Sequence, residues 1–265
     1  LGSILHVGNS SYIGDNINGP CCLKVPPWIN LGNIKYLLYF AHHKGQYIRL
    51  ATSESITGPW KLSSKKVLDL SNFKDAYNHI ASPEILLDEK QRLIRLYFHA
   101  RSHSKGGEQW SFAAVSSSPF NFQPVSDYPL APFYLRAFKY NEKIYGMTKG
   151  GSIWVSPDGL KPFSLCTNPF NKRLKEELWH NDPGSIRHVA LILNKTILDV
   201  YYSRIGDCPE RILFSQIDLN PSNYNDWIAS PPIELLSPRM RWEGSNLPII
   251  ASVSGPAMKP LNELR

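Results

Sequence analysis

The chain has 265 residues, 42% of them hydrophobic, 12% aromatic and 19% charged. A chain of this length can bury roughly three quarters of its unfolded surface around a core, and it has no apolar run of the roughly 18 residues that reads as a membrane-spanning helix. The formal net charge is +7, but the 29 Lys and Arg are scattered and form no basic stripe interleaved with aromatics, which argues against a nucleic-acid partner.

The four cysteines, Cys21, Cys22, Cys166 and Cys208, contain no CxxC pair, so a zinc site is not expected. They read as buried free thiols. Together with the lack of a visible signal peptide, this points to a reducing, cytoplasmic setting.

A unit of roughly 50 to 60 residues repeats along the chain, a period in the range of propeller blades. The first copy has an aromatic-rich strand at 34–40, a polar loop at 41–45, a strand at 47–53 and the turn Thr57-Gly58-Pro59-Trp60. The second has strands at 93–98 and 110–116, and the third has shorter strands at 143–147 and 152–156. The fourth has strands at 197–202 and 212–217. Each copy is preceded by another apolar segment, at 20–25, 85–87, 135–138 and 189–193, which gives four strands per unit. Residues 171–179 read as a short helix. The blades are expected at about 18–70, 79–127, 133–168 and 185–238, within a single domain over 1–265. A fifth starts near Leu261 and is incomplete in this chain, with residues 3–8 available as an outer strand to close the ring. The expected fold is therefore an all-β, five-bladed β-propeller. A four-bladed ring is the alternative.

Propeller geometry ranks the polar residues before any motif is consulted. The start of each innermost strand and the loop joining second to third strands lie on one face, at the mouth of the central channel. This selects Asn18, His79, Glu84, Arg136, Arg187 and His188 from the strand starts. It selects His42, His43, His99, Arg101, His103, Lys149, Arg204, Asp207, Glu210 and Arg211 from the loops, with Trp242 and Glu243 in a later connection. Asp207, Glu210, Arg204 and Arg211 also suit a loop-stabilising ion network. His42 and His43 point opposite ways if they lie on a strand. Trp110, Trp154 and Trp227 occupy core positions, whereas Trp28, Trp179 and Trp242 are better placed to stack on a sugar.

At these residues the chain resembles the five-bladed arabinanase, β-xylosidase and invertase superfamily of glycosidases. The resemblance is carried by Asn18-Gly19-Pro20, Ser82-Pro83-Glu84 followed by the strand at 93–98, the strand-turn units at 51–60 and 155–159, and Trp242-Glu243-Gly244. Tyr39 to Gly45, Arg187-His188 and the segment 206–212 resemble a bacterial branch of it. The resemblance implies a glycoside hydrolase-like enzyme acting at the channel mouth on an oligo- or polysaccharide, which the His and Arg residues suit to an anionic one. No cofactor is demanded, and a channel metal ion such as Ca2+ is compatible with the imidazoles.

The superfamily's inverting members use three acids, and here Asn18, Arg136 and Arg187-His188 stand in their places. Glu84, Glu243, Asp207 and His188 remain as catalytic candidates. Asn18, His42, His43, His79, His99, Arg101, Arg136, Arg187, Arg204 and Trp242 are the substrate-binding candidates. A non-catalytic carbohydrate-binding propeller, or a His/Tyr- or metal-dependent glycan lyase, are the alternatives.

Overall fold

Strand-forming alternation dominates the chain, and a computed structural model resolves it into four antiparallel sheets. It describes residues 4–9, 13–171, 186–255, 257 and 259–265. The helix expected at 171–179, all but its first residue, lies outside the described residues, as does His180.

The chain divides into two compact units. The first, comprising 1–135 and 160–162, holds two sheets. One contains β1 (Asn18–Lys24), β2 (Tyr36–Ala41), β3 (Tyr47–Ser53), β4 (Lys61–Leu62) and β5 (Leu68–Asp69). The other contains β6 (Ala76–Asp88), β7 (Leu93–Ser102), β8 (Gln109–Ser116), β9 (Gln123–Pro124) and β10 (Ala131–Pro132). The second unit, 136–159 and 163–265, holds a sheet of β11 (Arg136–Tyr140), β12 (Lys143–Met147), β13 (Ile153–Ser156) and β14 (Ser164–Thr167). Its other sheet contains β15 (Ile186–Asn194), β16 (Ile197–Arg204), β17 (Ile212–Asp218) and β18 (Ile233–Leu236).

Each unit has its own core, built by period-2 burial. In the first, Leu37, Tyr39 and Ala41 of β2 and Ile94, Leu96, Phe98 and Ala100 of β7 turn the same way into one cluster. Phe73 closes it with edge-on contacts to Phe98 and Phe112. In the second, Leu198, Val200 and Tyr202 of β16 meet Tyr145, Met147 and Trp227. Alternation of this kind places every other residue of a strand on the opposite face. On β7 that opposite face carries Arg95, Tyr97, His99 and Arg101.

Tight hairpins set the strand registers. Asn141 and Glu142, both with positive φ, join Tyr140 to Lys143 in a two-residue turn, the geometry that matches strand twist. After β18 no strand occurs among the described residues, and residues 261–265 are irregular. Residues 4–9 hold only a single 3-10 turn, Val7–Asn9. The expected partial fifth blade and its closing strand are therefore not formed: Leu264 and Asn262 instead bond to Glu210 and Leu247, at 2.9 and 3.0 Å.

The cysteines form no disulfide, but none of them is fully buried, contrary to the expectation of buried thiols. Cys22 and Cys208 are exposed, because β1 is open on its outward face and Cys208 sits in a surface turn.

Candidate functional site

The first unit gathers histidines, amides and aromatic rings at one end of β6, β7 and β8. His42 and His43 lie in the turn after β2 and not on a strand, so no alternation separates them. His42 Nδ1 accepts from the Lys44 N–H (2.9 Å), so its Nε2–H donates to Asp15 (2.5 Å). That bond holds the Asp15 carboxyl below its ordinary range.

His43 is fixed from both sides. Its Nδ1–H donates to Asn16 Oδ1 (3.2 Å), and its Nε2 accepts from Asn18 Nδ2 (2.6 Å). Asn18 Oδ1 in turn accepts from Ser82 Oγ (3.4 Å). This directional chain fixes the Asn18 amide and leaves His43 in one neutral tautomer.

The turn docks onto β6 through the Ile80 N–H, which donates to Gly45 O (3.0 Å). His79 therefore sits beside His43. Burial, and then the charge of Arg101, push the His79 pKa down against a hydrogen bond to Gln109. Its ring meets His99 edge-on at 5.5 Å. His99 is buried between Ala81 and Ser111 and packs edge-on against Tyr134 at 4.5 Å and Phe133 at 5.9 Å. Both of these rings are half-exposed. Arg101 donates to Gly107 O (2.8 Å), and Tyr77, its partner across the ladder, stacks on His103 at 4.1 Å. Glu84 pairs with Tyr97, on the face of β7 that carries His99.

Backbone strain concentrates here. Seven described non-glycine residues have positive φ. Four of them, Arg92, Asn141, Glu142 and Lys195, serve hairpin turns. The other three, Asn78, Ser82 and Tyr134, flank the His79–His99 pair. Such strain persists only where surrounding structure enforces it, and it clusters at functional sites. Part of the enforcement is visible: a Cβ on Gly19 would stand 2.7 Å from Ser82 Cα, so β1 and β6 approach as only a glycine permits.

The second unit gathers charge. A bulge in β15 between Ile186 and Val189 presents Arg187 and His188 in succession. Arg187 is buried, and its fork is spent inside the protein. It binds Glu210 through two bonds of 2.8 and 2.9 Å and donates to the carbonyls of Val253 (2.6 Å) and Gly255 (3.2 Å). The guanidinium that the sequence offered as a sugar ligand is thus tied to Glu210 and two carbonyls. Asp207 is likewise engaged, with Arg204 at 2.9 Å and Arg211 at 3.8 Å.

His188 is pushed down to about 3, first by burial and then by the charges of Arg136, Arg187, Arg265 and Lys149. Glu243 is exposed. It accepts the N–H groups of Arg239 (2.8 Å) and Met240 (2.9 Å), which hold its carboxyl below the ordinary range. A proton donor needs the opposite shift, so the geometry casts Glu243 as a turn cap. Trp242, beside it, is 64% exposed.

Among the described residues no group of three or more His, Cys, Asp and Glu is arranged to hold a metal. Sequence reasoning missed Asn16, Gln109, Phe133 and Tyr134. The aromatic pair had a signal, because two adjacent rings directly precede the next innermost strand.

No family model matches the chain. The "Uncharacterized protein R118" of Acanthamoeba polyphaga mimivirus is 32% identical over 270 residues, covering 94% of this chain and 76% of that protein. That relative is viral, whereas the motifs had pointed to a bacterial branch. Among solved structures, a thermostable family-43 glycoside hydrolase aligns with a TM-score of 0.61 at 19% identity, over 86% of this chain and 76% of that one. CoXyl43, a GH43 β-xylosidase/α-arabinofuranosidase from a compost microbial metagenome solved with xylotriose, aligns at 0.60 and 15%, over 82% and 77%. These likenesses establish an all-β, β-propeller fold, which this chain builds with four blades and not five.

Proposed function

The chain belongs to the family of the mimivirus protein R118, and we propose that it acts on glycans in the manner of a glycoside hydrolase. The observation that carries this reading is the convergence of three strained residues, Asn78, Ser82 and Tyr134, on the His79–His99 pair with half-exposed rings beside it. Exposed aromatic edges next to fixed hydrogen-bonding groups suit a sugar, which offers an apolar ring face and a rim of hydroxyls. Solved structures that share this fold include glycoside hydrolases, one of them in complex with xylotriose.

Glycosidic hydrolysis as a rule employs two carboxyl groups. Asn18 cannot accept a proton, and Asp207, Glu210 and Glu243 are engaged with Arg or backbone donors. Glu84, which lies opposite Tyr97 on the face of β7 that carries His99, is assigned proton transfer to the leaving oxygen. His79, a neutral imidazole at pH 7 because burial lowers its pKa, is assigned the proton-accepting part. The two stand on the same strand, β6.

The test is release of reducing ends from a panel of oligosaccharides by the wild type, Glu84→Gln and His79→Gln. Loss of turnover in both variants is expected, and unchanged rates would remove both residues from the chemistry. The locked amide of Asn18 favours a second reading, sugar binding without turnover. Wild-type protein that binds a glycan array yet releases no product selects it.

A further inference from the structure

We propose that Arg49 is a positioning residue for the histidine-rich end of the first unit. It ties the segment 15–18 to the end of β2 and, through Asn16, sets which nitrogen of His43 carries the proton. Its effect on a sugar rests on the glycan reading above; its effect on His43 does not.

The β1–β2 ladder is interrupted where this end of the unit depends on it. Asn18 pairs with Ala41, the next pair is Cys21 with Tyr39, and the register shifts between them. Gly19 and Pro20 fill the gap, and a proline has no N–H to give to a ladder. Asp15, Asn16 and Asn18, the partners of His42 and His43, therefore gain little hold from strand pairing.

Arg49 supplies that hold. It stands on β3 opposite Phe40 of β2 and is 4% exposed, with its guanidinium carbon 4.8 Å from the centre of the Phe40 ring. One nitrogen, Nη2, donates to Asn16 O (2.9 Å) and to Ala41 O (2.5 Å). The two hydrogens of that nitrogen thus join two separate segments of chain, one of them ending immediately before His42. A guanidinium keeps its charge at any pH the protein meets, so the clamp does not titrate away.

Asn16 passes the constraint on. Arg49 holds its backbone, and its side-chain Oδ1 accepts from the His43 backbone N–H (3.0 Å) and from the His43 ring at Nδ1 (3.2 Å). An amide oxygen only accepts, so the proton sits on Nδ1, and Nε2 accepts from Asn18 Nδ2 (2.6 Å). With Asn16 displaced, Nδ1 loses that acceptor. In the other tautomer an Nε2–H would face the hydrogens of the Asn18 amide, so Asn18 would have to turn and give up its contact with Ser82 on β6. A buried residue on β3 in this way governs the direction of a hydrogen-bonded chain that runs from β1 to β6.

The experiment reads the tautomer of His43 by nitrogen NMR of isotope-labelled histidine at about pH 7.5, with the signal assigned by His43→Gln. The proteins are the wild type, Arg49→Gln, Asn16→Ala and the double variant. Arg49→Gln and Asn16→Ala are each expected to lower the ratio of the Nδ1–H to the Nε2–H form about tenfold, the factor that one hydrogen bond supplies. The double variant should lower it no further, because the two residues act in series. Arg49→Lys keeps the buried charge on a stem one bond shorter, should move the ratio in the same direction, and is the variant to read where Arg49→Gln does not fold. An Arg49 that only stabilises the sheet would lower the melting temperature and leave the ratio as it was. A ratio unmoved in the folded Arg49 variant, or effects that add in the double variant, would overturn the proposal. Xylotriose is then titrated into the same proteins, and its affinity is expected to fall with the ratio. A shifted ratio with no xylotriose bound by any form leaves the positioning role standing and counts against the glycan reading; xylotriose bound equally by all forms with the ratio unmoved does the reverse.

Discussion

His188 supplies a pH-dependent stability that can be worked out from its surroundings. Its imidazole is pushed from the ordinary 6.5 down to about 3 by burial and by Arg136, Arg187, Arg265 and Lys149. Between those two values the unfolded chain binds a proton at this residue and the folded chain does not. The unfolded state therefore gains as pH falls, so stability is full above about 6.5 and drains away down to about 3. At 1.36 kcal/mol per unit the whole window is worth on the order of 5 kcal/mol, and the first unit and a half, down to about pH 5, about 2 kcal/mol. The assay is urea unfolding of the wild type and His188→Gln across this range. Titrations common to both proteins, including that of His79, cancel in the difference. The wild type should lose about 2 kcal/mol relative to the variant between about pH 7.5 and 5. A difference that stays constant over that range would refute the claim that His188 is neutral in the folded protein.

The Arg187–Glu210 pair is buried and doubly bonded, so Glu210→Gln should cost roughly 3 to 5 kcal/mol by stranding the guanidinium, read from chemical denaturation. Replacing both partners with apolar residues should recover part of that loss, and a double variant as unstable as the single one would contradict the desolvation argument. Gly19→Ala should cost more than about 1 kcal/mol, because the residue has positive φ and its Cβ would strike Ser82; a neutral result would mean that β1 and β6 can separate cheaply. Trp227→Ala should lose roughly 3 to 5 kcal/mol, since the side chain is 2% exposed and packed among Tyr140, Tyr145 and Tyr224.

The strands were legible because their faces alternate. Leu96, Phe98 and Ala100 enter the core while Tyr97, His99 and Arg101 do not, and that pattern is written in the order of the residues. The choice between a partial fifth blade and a four-bladed ring stayed open, because a strand needs a neighbour to pair with and an apolar segment alone cannot say whether one exists. The partners of the carboxylates were legible only in part, for a related reason. Glu243 looks like a free acid in the sequence, yet its fate is decided by two backbone donors three and four residues away. Asp207 and Glu210 had been suspected of an ion network, and their Arg partners bear that out. The strained trio could not be read at all. Ser82 precedes a proline, a position that normally favours extended backbone, and only the contact with Gly19 reveals its positive φ.

The two units handle their histidines in opposite ways, and that contrast bears on what each can do. In the first, His43 is neutral because hydrogen bonds to Asn16 and Asn18 fix both nitrogens, and His99 lies among aromatic rings. Groups fixed in this way carry no net charge. In the second, His188 is held neutral first by burial and then by the charges of Arg136, Arg187, Arg265 and Lys149. Salt that screens those charges should therefore soften the loss of stability at His188 as pH falls, whereas it should leave the hydrogen-bonded His43 unchanged.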